Sequence, residues 1–351
     1  MPVSPRRIGI VVTDAYADED PDYDTPVILD ALRARGAEAE RVVWHDAAID
    51  LGGFDLLVLR SPWDYPDRLP EFLAWLDRAE RASRVVNAPA TVRWNLDKHY
   101  LADLERAGVR VVPTRYATTM DAATAAIAEV AGAEVRAESR GDGRVVVKPV
   151  VSAGARDTGL FEASDPRARD LAARIVERGG VAMVQPEVAE LSAGHEKALY
   201  AIDGIFTHAI AKGALLETGG GLRGGVYQEN PEPVPATDAE RAFAGEVLAA
   251  VASVTGEVPL YARIDTVDSA AHGLCVLEVE LVEPALNLHV APEATAAVVD
   301  AILRIGARRR TQTPRRQSAS RPTISALRCH SFAASSGSAA SGLVRAGRLF
   351  A

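Results

Sequence analysis

The sequence predicts an α/β protein, α+β when taken over its full length. Three observations carry that prediction. The first sixty residues alternate strand, helix, strand and strand, the pattern of a unit built on a mainly parallel sheet. Further on, Asp203-Gly204 sits between two apolar runs and marks a tight β-hairpin. Finally, the stretch around Tyr261–Asn287 holds two strands, Leu260–Val267 and Leu274–Val282, with three acids set among apolar residues.

In order, Arg7–Thr13 reads as a buried strand, Thr25–Arg35 as a helix stopped by Gly36, and Glu40–Trp44 and Phe54–Arg60 as strands. Ligands of such sheets lie beyond the carboxyl ends of the strands, where the loops Thr13–Asp24 and Ser61–Asp67 fall. The second loop, SPWDYPD, reads either as a proline-bounded turn with packed aromatics or as a substrate wall, with Ser61, Asp64 and Tyr65 as its polar groups. Pro70–Ala79 is a predicted helix and Arg84–Asn87 a strand. Asn87–Leu104 runs from a turn into one helix with Lys98 near its middle, ended by Gly108. Asp121–Ala133 is helical, and Ser139–Gly143 a polar turn.

Arg144–Gly154 is a strand carrying Lys148, followed by a loop of small residues that includes Ser152 and Gly154. Small residues let backbone N–H groups approach phosphate oxygens, and a nearby lysine supplies charge. The string does not match the P-loop pattern. Asp165–Arg178 is a helix and Ala182–Gln185 a strand broken at Pro186. Lys197–Ile202 and Ile205–Ala211 form the hairpin, closed by Lys212. Glu217–Gly225 is a glycine-rich loop holding Arg223, a guanidinium suited to a carboxylate or phosphate; its bland reading is a plain surface loop. Asp238–Thr255 and Glu293–Ile305 are the last two helices.

Side chains alternate faces along a strand, so Glu278 and Glu280 share a side, and Arg263 and Asp265 share one on the paired strand. Two carboxylates so placed repel unless something positive lies between them, and a hard cation would serve. A solvated sheet face is the bland alternative.

The composition, 48% hydrophobic and 25% charged, is that of a globular protein with two or three domains in 351 residues. No apolar run is long enough to cross a membrane, no signal peptide is read, and two distant cysteines form no pattern, so a cytoplasmic location is expected. From Gly306 onward there are nine arginines and no acid. The net charge of −9 therefore divides into +9 for that tail and −18 for the rest. An acidic body argues against nucleic acid as the partner. The tail, rich in Arg, Ser and Ala, is expected to be disordered.

The motifs fall in a fixed order: Lys98, Lys148 with its small-residue loop, a Gln185-Pro186-Glu187-Val188 hinge, Glu196, Lys212, Arg263-Ile264-Asp265 and Leu277-Glu278-Val279-Glu280. This order resembles the ATP-grasp ligases, such as D-alanine–D-alanine ligase and prokaryotic glutathione synthetase, over roughly residues 8–305. Glu280 stands where many of those ligases have Asn. Val58–Tyr65, Trp94–Lys98 with Tyr100-Leu101, and Val111–Thr114 resemble the narrower ATP-grasp group that contains cycloserine synthetase.

The resemblance implies a Rossmann-like substrate domain (1–92), a central lid part (93–188), a catalytic part (189–305) and the tail (306–351). It implies ATP and two Mg²⁺ ions, for which Mn²⁺ can substitute. Lys98, Lys148 and Lys212 would contact phosphates under the Ser152–Gly154 loop. Gln185, Glu187 and Val188 would line the adenine, mainly through backbone groups, and Glu196 the ribose. Asp265, Glu278 and Glu280 would hold the metal ions, and Arg263 would stabilise the oxyanion. Lys148, Lys212 and Arg263 thus form the implied catalytic set. The implied reaction joins a carboxylate to an amine through an acyl phosphate, with O-ureido-D-serine cyclisation favoured and Ser61, Asp64, Tyr65 and Arg223 as substrate contacts. An intermolecular amino-acid or peptide ligase and a non-catalytic ATP-binding regulator are the alternatives. Relatives of this kind are often dimers, but the sequence carries no interface signal.

Overall fold

In the computed structural model, residues 6–16, 21–138, 143–223 and 230–307 are described. The tail from Arg308, most of the Ser139–Gly143 turn and residues 224–229 of the Arg223 loop lie outside them.

Three sheets carry the architecture. The first has the order β2-β1-β3-β4, all parallel, from β1 (Arg7–Val12), β2 (Glu38–Val43), β3 (Leu56–Ser61) and β4 (Val85–Val86). Its strands are apolar on both faces because both are covered. Ile8, Ile10 and Val58 face helix α1 (Asp24–Ala34), whereas Val11, Leu57 and Leu59 face α2 (Leu69–Ala82). Gly9 is required by the tight packing here: a Cβ would come within 2.7 Å of Leu57 and Val42. The register of β1 on β3 slips after Val11, which leaves Arg60 without a partner on β1. That bulge is what turns a charged residue inward. Arg60 is buried, its guanidinium 4.8 Å from the Tyr261 ring, and it donates to the Pro284 carbonyl.

The next segment corrects an expectation. Instead of one helix with Lys98 at its middle, there are two short ones, α3 (Pro89–Asn95) and α4 (Tyr100–Arg106), with Lys98 in the break. Side chains competing with the helix ladder explain it. The Asn95 amide donates to the Val279 carbonyl and accepts from the Leu281 N–H, Asp97 accepts from the His99 N–H, and the Lys98 N–H donates to Val150.

The second sheet is antiparallel, ordered β5-β8-β6-β7, from β5 (Arg115–Ala117), β6 (Arg144–Pro149), β7 (Gly159–Glu162) and β8 (Ala182–Pro186), and packs on α5 (Met120–Glu138) and α6 (Pro166–Glu177). A one-turn helix α7 (Ala189–Ser192) follows. The third sheet, also antiparallel, runs β11-β10-β9-β12-β13: β9 (Glu196–Ile202), β10 (Ile205–Lys212), β11 (Glu232–Pro233), β12 (Tyr261–Ser269) and β13 (Gly273–Glu280). The hairpin turn falls on Asp203 and Gly204, both at positive φ, as its dipeptide predicts. Helix α8 (Asp238–Thr255) covers one face of this sheet and starts with a capping box between Thr237 and Glu240. Helix α9 (Thr295–Ala307) packs beside α1. No helix among the described residues is long and apolar enough to cross a membrane.

A buried acid ties the first sheet to the chain that follows β13. The Asp24 carboxylate accepts the N–H groups of Leu286, Asn287 (3.2 Å) and Leu288 (2.8 Å). Removing it leaves three buried donors unsatisfied, so Asp24→Ala is expected to lower unfolding stability by about 3 kcal/mol. Asp24→Asn, which keeps one acceptor oxygen, should lose less. Urea unfolding of the two variants checks this, and an unchanged midpoint for Asp24→Ala would refute it.

Candidate active site

The register of β12 and β13 sets Arg263 opposite Glu280 and Asp265 opposite Glu278. The face that is apolar at Tyr261, Ile202 and Ile210 becomes charged two residues on, at Arg263 and Lys212. Alternation along each strand makes that change of character possible within one face. The positive charge that the two glutamates call for is present in the chain itself. Arg263 donates to both oxygens of Asp265 at 2.9 and 2.8 Å and pairs with Glu280 at 2.8 Å. Lys212 lies 2.9 Å from Asp265 and 2.8 Å from Glu196, and Lys98 lies 3.0 Å from Glu278. Lys98 reaches that acid because the break between α3 and α4 releases it from a helix face. Its ammonium also donates to the Ser152 carbonyl at 2.9 Å, pinning the start of the small-residue loop. In that loop Gly154, Ala155 and Asp157 all adopt positive φ.

These groups line one cavity of about 260 Å³. Of the residues singled out above, Lys98, Lys148, Ser152, Gly154, Gln185, Glu187, Val188, Glu196, Lys212, Arg263, Asp265, Glu278, Glu280 and Tyr65 border it. At the hinge, the Gln185 amide donates to Thr114 (2.9 Å), while the Glu187 carboxylate is held by Arg144 (3.0 Å) and Ser192 (2.6 Å). The Glu187 side chain is thus occupied by protein partners. Ser61, Asp64 and Arg223 do not border the cavity. Ser61 is buried against Asp22 and Tyr16; Asp64 accepts from the Trp44 indole (2.7 Å) and Arg68; Arg223 is exposed and donates to the Leu216 and Ser192 carbonyls. Sequence reasoning missed Glu283, Asn95 and Arg156, all of which line the cavity. For Glu283 a signal existed: an acid wedged between Val282 and Pro284, just past the end of a strand already carrying two glutamates.

Burial sets the electrostatics. It lowers Lys148 to about 8 and raises Glu283 to about 7, although the Tyr65 hydroxyl and Lys98 work against the latter rise. It also raises Glu280, reinforced by Asp265, Glu278 and Glu283. Asp265 goes the other way: burial disfavours its charge, but Arg263 and Lys212 hold it below the ordinary carboxylate range. A hard divalent cation fits this donor set, since it would relieve the strain that buried, mutually repelling acids carry. Among the described residues no three acids form a ready-made cage. Magnesium needs none, because it binds through one or two carboxylates with phosphates and water completing the shell.

Comparison with known proteins bears on the family and the fold. A family profile described as "D-cycloserine synthetase DcsG, N-terminal domain" matches residues 8–87. The cycloserine biosynthesis protein DcsG of Streptomyces lavendulae is 37% identical over 271 residues, which cover 76% of this chain and 88% of that protein. The crystal structure of D-cycloserine synthetase DcsG superposes with a TM-score of 0.76 at 32% identity, covering 86% of this chain and 99% of that one. An ATP-grasp RimK domain protein from Sphaerobacter thermophilus shares the fold at a TM-score of 0.57 and 19% identity, over 85% of this chain and 99% of that one.

If Lys148 is a phosphate contact, as the resemblance implies, its shift makes nucleotide binding pH-dependent. Below about pH 8 the ammonium is charged and can meet phosphate; above it the neutral amine cannot. The value of kcat/KM for MgATP, which reports the free enzyme, is therefore expected to fall as pH rises through about 8. Lys148→Gln should have a lower value throughout and lack that limb. An unchanged limb in the variant would assign it elsewhere.

Proposed function

The chain belongs to the D-cycloserine synthetase family of ATP-grasp ligases, and from that membership we propose that it activates a carboxylate with ATP and closes a C–N bond within one small amino-acid-like molecule. The favoured substrate is O-ureido-D-serine: ring closure gives the N-carbamoyl isoxazolidinone, and hydrolysis of the carbamoyl group to carbon dioxide and ammonia then yields D-cycloserine. The observation that carries the reading is the cavity itself, which three lysines, Arg263, the β12–β13 acids and Trp63 and Tyr65 from the β3 loop line together. A location in the cytoplasm suits ATP-driven synthesis of this kind.

In this reading the phosphates of ATP lie against Lys98, Lys148 and Lys212 beneath the Ser152–Gly154 loop. The adenine meets the Gln185–Val188 hinge, and Glu196 takes the ribose. Asp265, Glu278 and Glu280 are the groups that would hold magnesium, whose chemistry is to neutralise phosphate charge. The substrate carboxylate attacks the γ-phosphorus, ADP leaves, and an acyl phosphate remains. The lysines offset the charge that gathers on the transferring group. A nitrogen of the same molecule then attacks the acyl carbon and phosphate departs. Arg263 stabilises the oxyanion formed in between, preorganised by its bond to Asp265. A clamp of fixed charges is worth more in a buried site than in water, and positioning supplies most of the remainder.

Magnesium-dependent ADP release across a panel of small amino acids, with and without an added amine, tests the proposal. Turnover on O-ureido-D-serine alone is expected. A strict requirement for a second amine would point instead to intermolecular ligation, and nucleotide binding without ADP release on any substrate to a non-catalytic role. Glu278→Gln should reduce turnover by at least about a hundred-fold, and normal rates in it would remove Glu278 from the metal set.

A further inference from the structure

The acids that border the cavity are matched by bases, with one exception. Asp265 is held by Arg263 and Lys212, Glu280 by Arg263, Glu278 by Lys98, Glu196 by Lys212 and Glu187 by Arg144. Glu283 is as buried as most of these and pairs with no basic side chain among the described residues. Its carboxylate accepts from the Tyr65 hydroxyl and from its own backbone N–H, and Lys98 acts on it through space without forming an ion pair among the described residues. A buried carboxylate without a cation is costly: it either takes up a proton or meets a charge from outside the chain.

The surroundings are rigid and aromatic. The Trp63 indole donates to the Glu283 backbone carbonyl at 3.0 Å, and Arg60 donates to the next carbonyl, that of Pro284. One nitrogen of the buried Arg60 thus bonds to backbone rather than to the acid. Trp63 and Tyr65 both line the cavity beside Glu283, so a cation there would also face π-systems. We propose that Glu283, with Tyr65, is the recognition site for the ammonium group of an α-amino acid substrate. This rests on the reading of the cavity as a carboxylate ligase site. The substrate is then a zwitterion read at both ends, its carboxylate on the side of Arg263 and its ammonium on Glu283. The Tyr65 hydroxyl and the acid's own N–H leave the remaining lone pairs of the carboxylate for an N–H donor.

The test compares O-ureido-D-serine with 3-(ureidooxy)propanoate, which keeps the carboxylate and the nucleophilic nitrogen but carries hydrogen in place of the ammonium. Wild-type enzyme is expected to prefer the amino acid in kcat/KM by roughly thirty-fold, the weight of one hydrogen bond between charged groups. Glu283→Gln should erase that preference by lowering the value for the amino acid alone, with KM for MgATP unchanged. Tyr65→Phe, which keeps the acid, should lower it less and serves as the readout if Glu283→Gln does not fold. Equal losses for the two compounds, or no loss for either, would overturn the proposal. If wild-type enzyme releases no ADP with either compound, the O-ureido-D-serine reading fails. The ammonium site is then judged by binding, as the melting-temperature rise given by D-serine over 3-hydroxypropanoate in the presence of MgADP. A greater rise with D-serine that Glu283→Gln removes would support the site, and equal rises would overturn it.

Discussion

Six carboxylates open onto one cavity: Glu187, Glu196, Asp265, Glu278, Glu280 and Glu283. Buried like charges raise one another's energy, and the rest of the site is arranged to answer that cost. The answer depends on register. Because β12 and β13 pair Arg263 with Glu280 and Asp265 with Glu278, the guanidinium lies between two acids instead of facing solvent. A slip of one residue would send Arg263 into the apolar packing under α8 and put Ile264 in the cavity. Replacing one of these cations would therefore disturb more than a single pair, since Asp265 is shared by two of them and each cation serves two acids.

The three sheets contribute separately to this arrangement. The third supplies the acids, Lys212 and Arg263; the second supplies Lys148, the small-residue loop and the hinge; the first supplies the aromatic wall after β3. Their joints are polar and buried: Asp24 on the backbone of residues 286–288, Asn95 on β13 and Leu281, and Asn87 on Leu260, Tyr261 and Leu281. Such contacts fix geometry because each leaves unsatisfied groups if it breaks. They also explain why Lys98 is placed by a helix break. An unbroken helix would satisfy its own N–H groups and hold the lysine on a fixed helix face, whereas the break hands the Lys98 N–H to Val150.

Much of this was legible in the sequence. The strand pair, the β9–β10 hairpin and α8 follow from local signals that tertiary packing does not override: alternation, Asp-Gly and the helical spacing of Phe243, Val247, Leu248 and Val251. The lysines and acids of the cavity were readable from motif order. What stayed hidden depends on contacts distant in the chain. Nothing local announces that Asn95 would bond to residues 279 and 281, so the helix break was missed. Ser61 and Asp64 have the right chemistry for a substrate wall, but the fold gives them partners at Asp22, Tyr16 and Trp44 and turns Trp63 and Tyr65 to the cavity instead. Glu283 escaped because the strand's alternation ends at Glu280, and its place in the wall is set by Arg60 and Trp63.

The central claim is that this cavity phosphorylates a substrate carboxylate, and oxygen tracing tests it most directly. O-ureido-D-serine labelled with ¹⁸O in both carboxylate oxygens is turned over with ATP and magnesium, and the released phosphate is weighed by mass spectrometry. Attack on the γ-phosphorus followed by displacement transfers one labelled oxygen to each phosphate. Phosphate carrying one ¹⁸O per turnover is the predicted result. Unlabelled phosphate, the signature of ATP hydrolysis by water, would contradict the account.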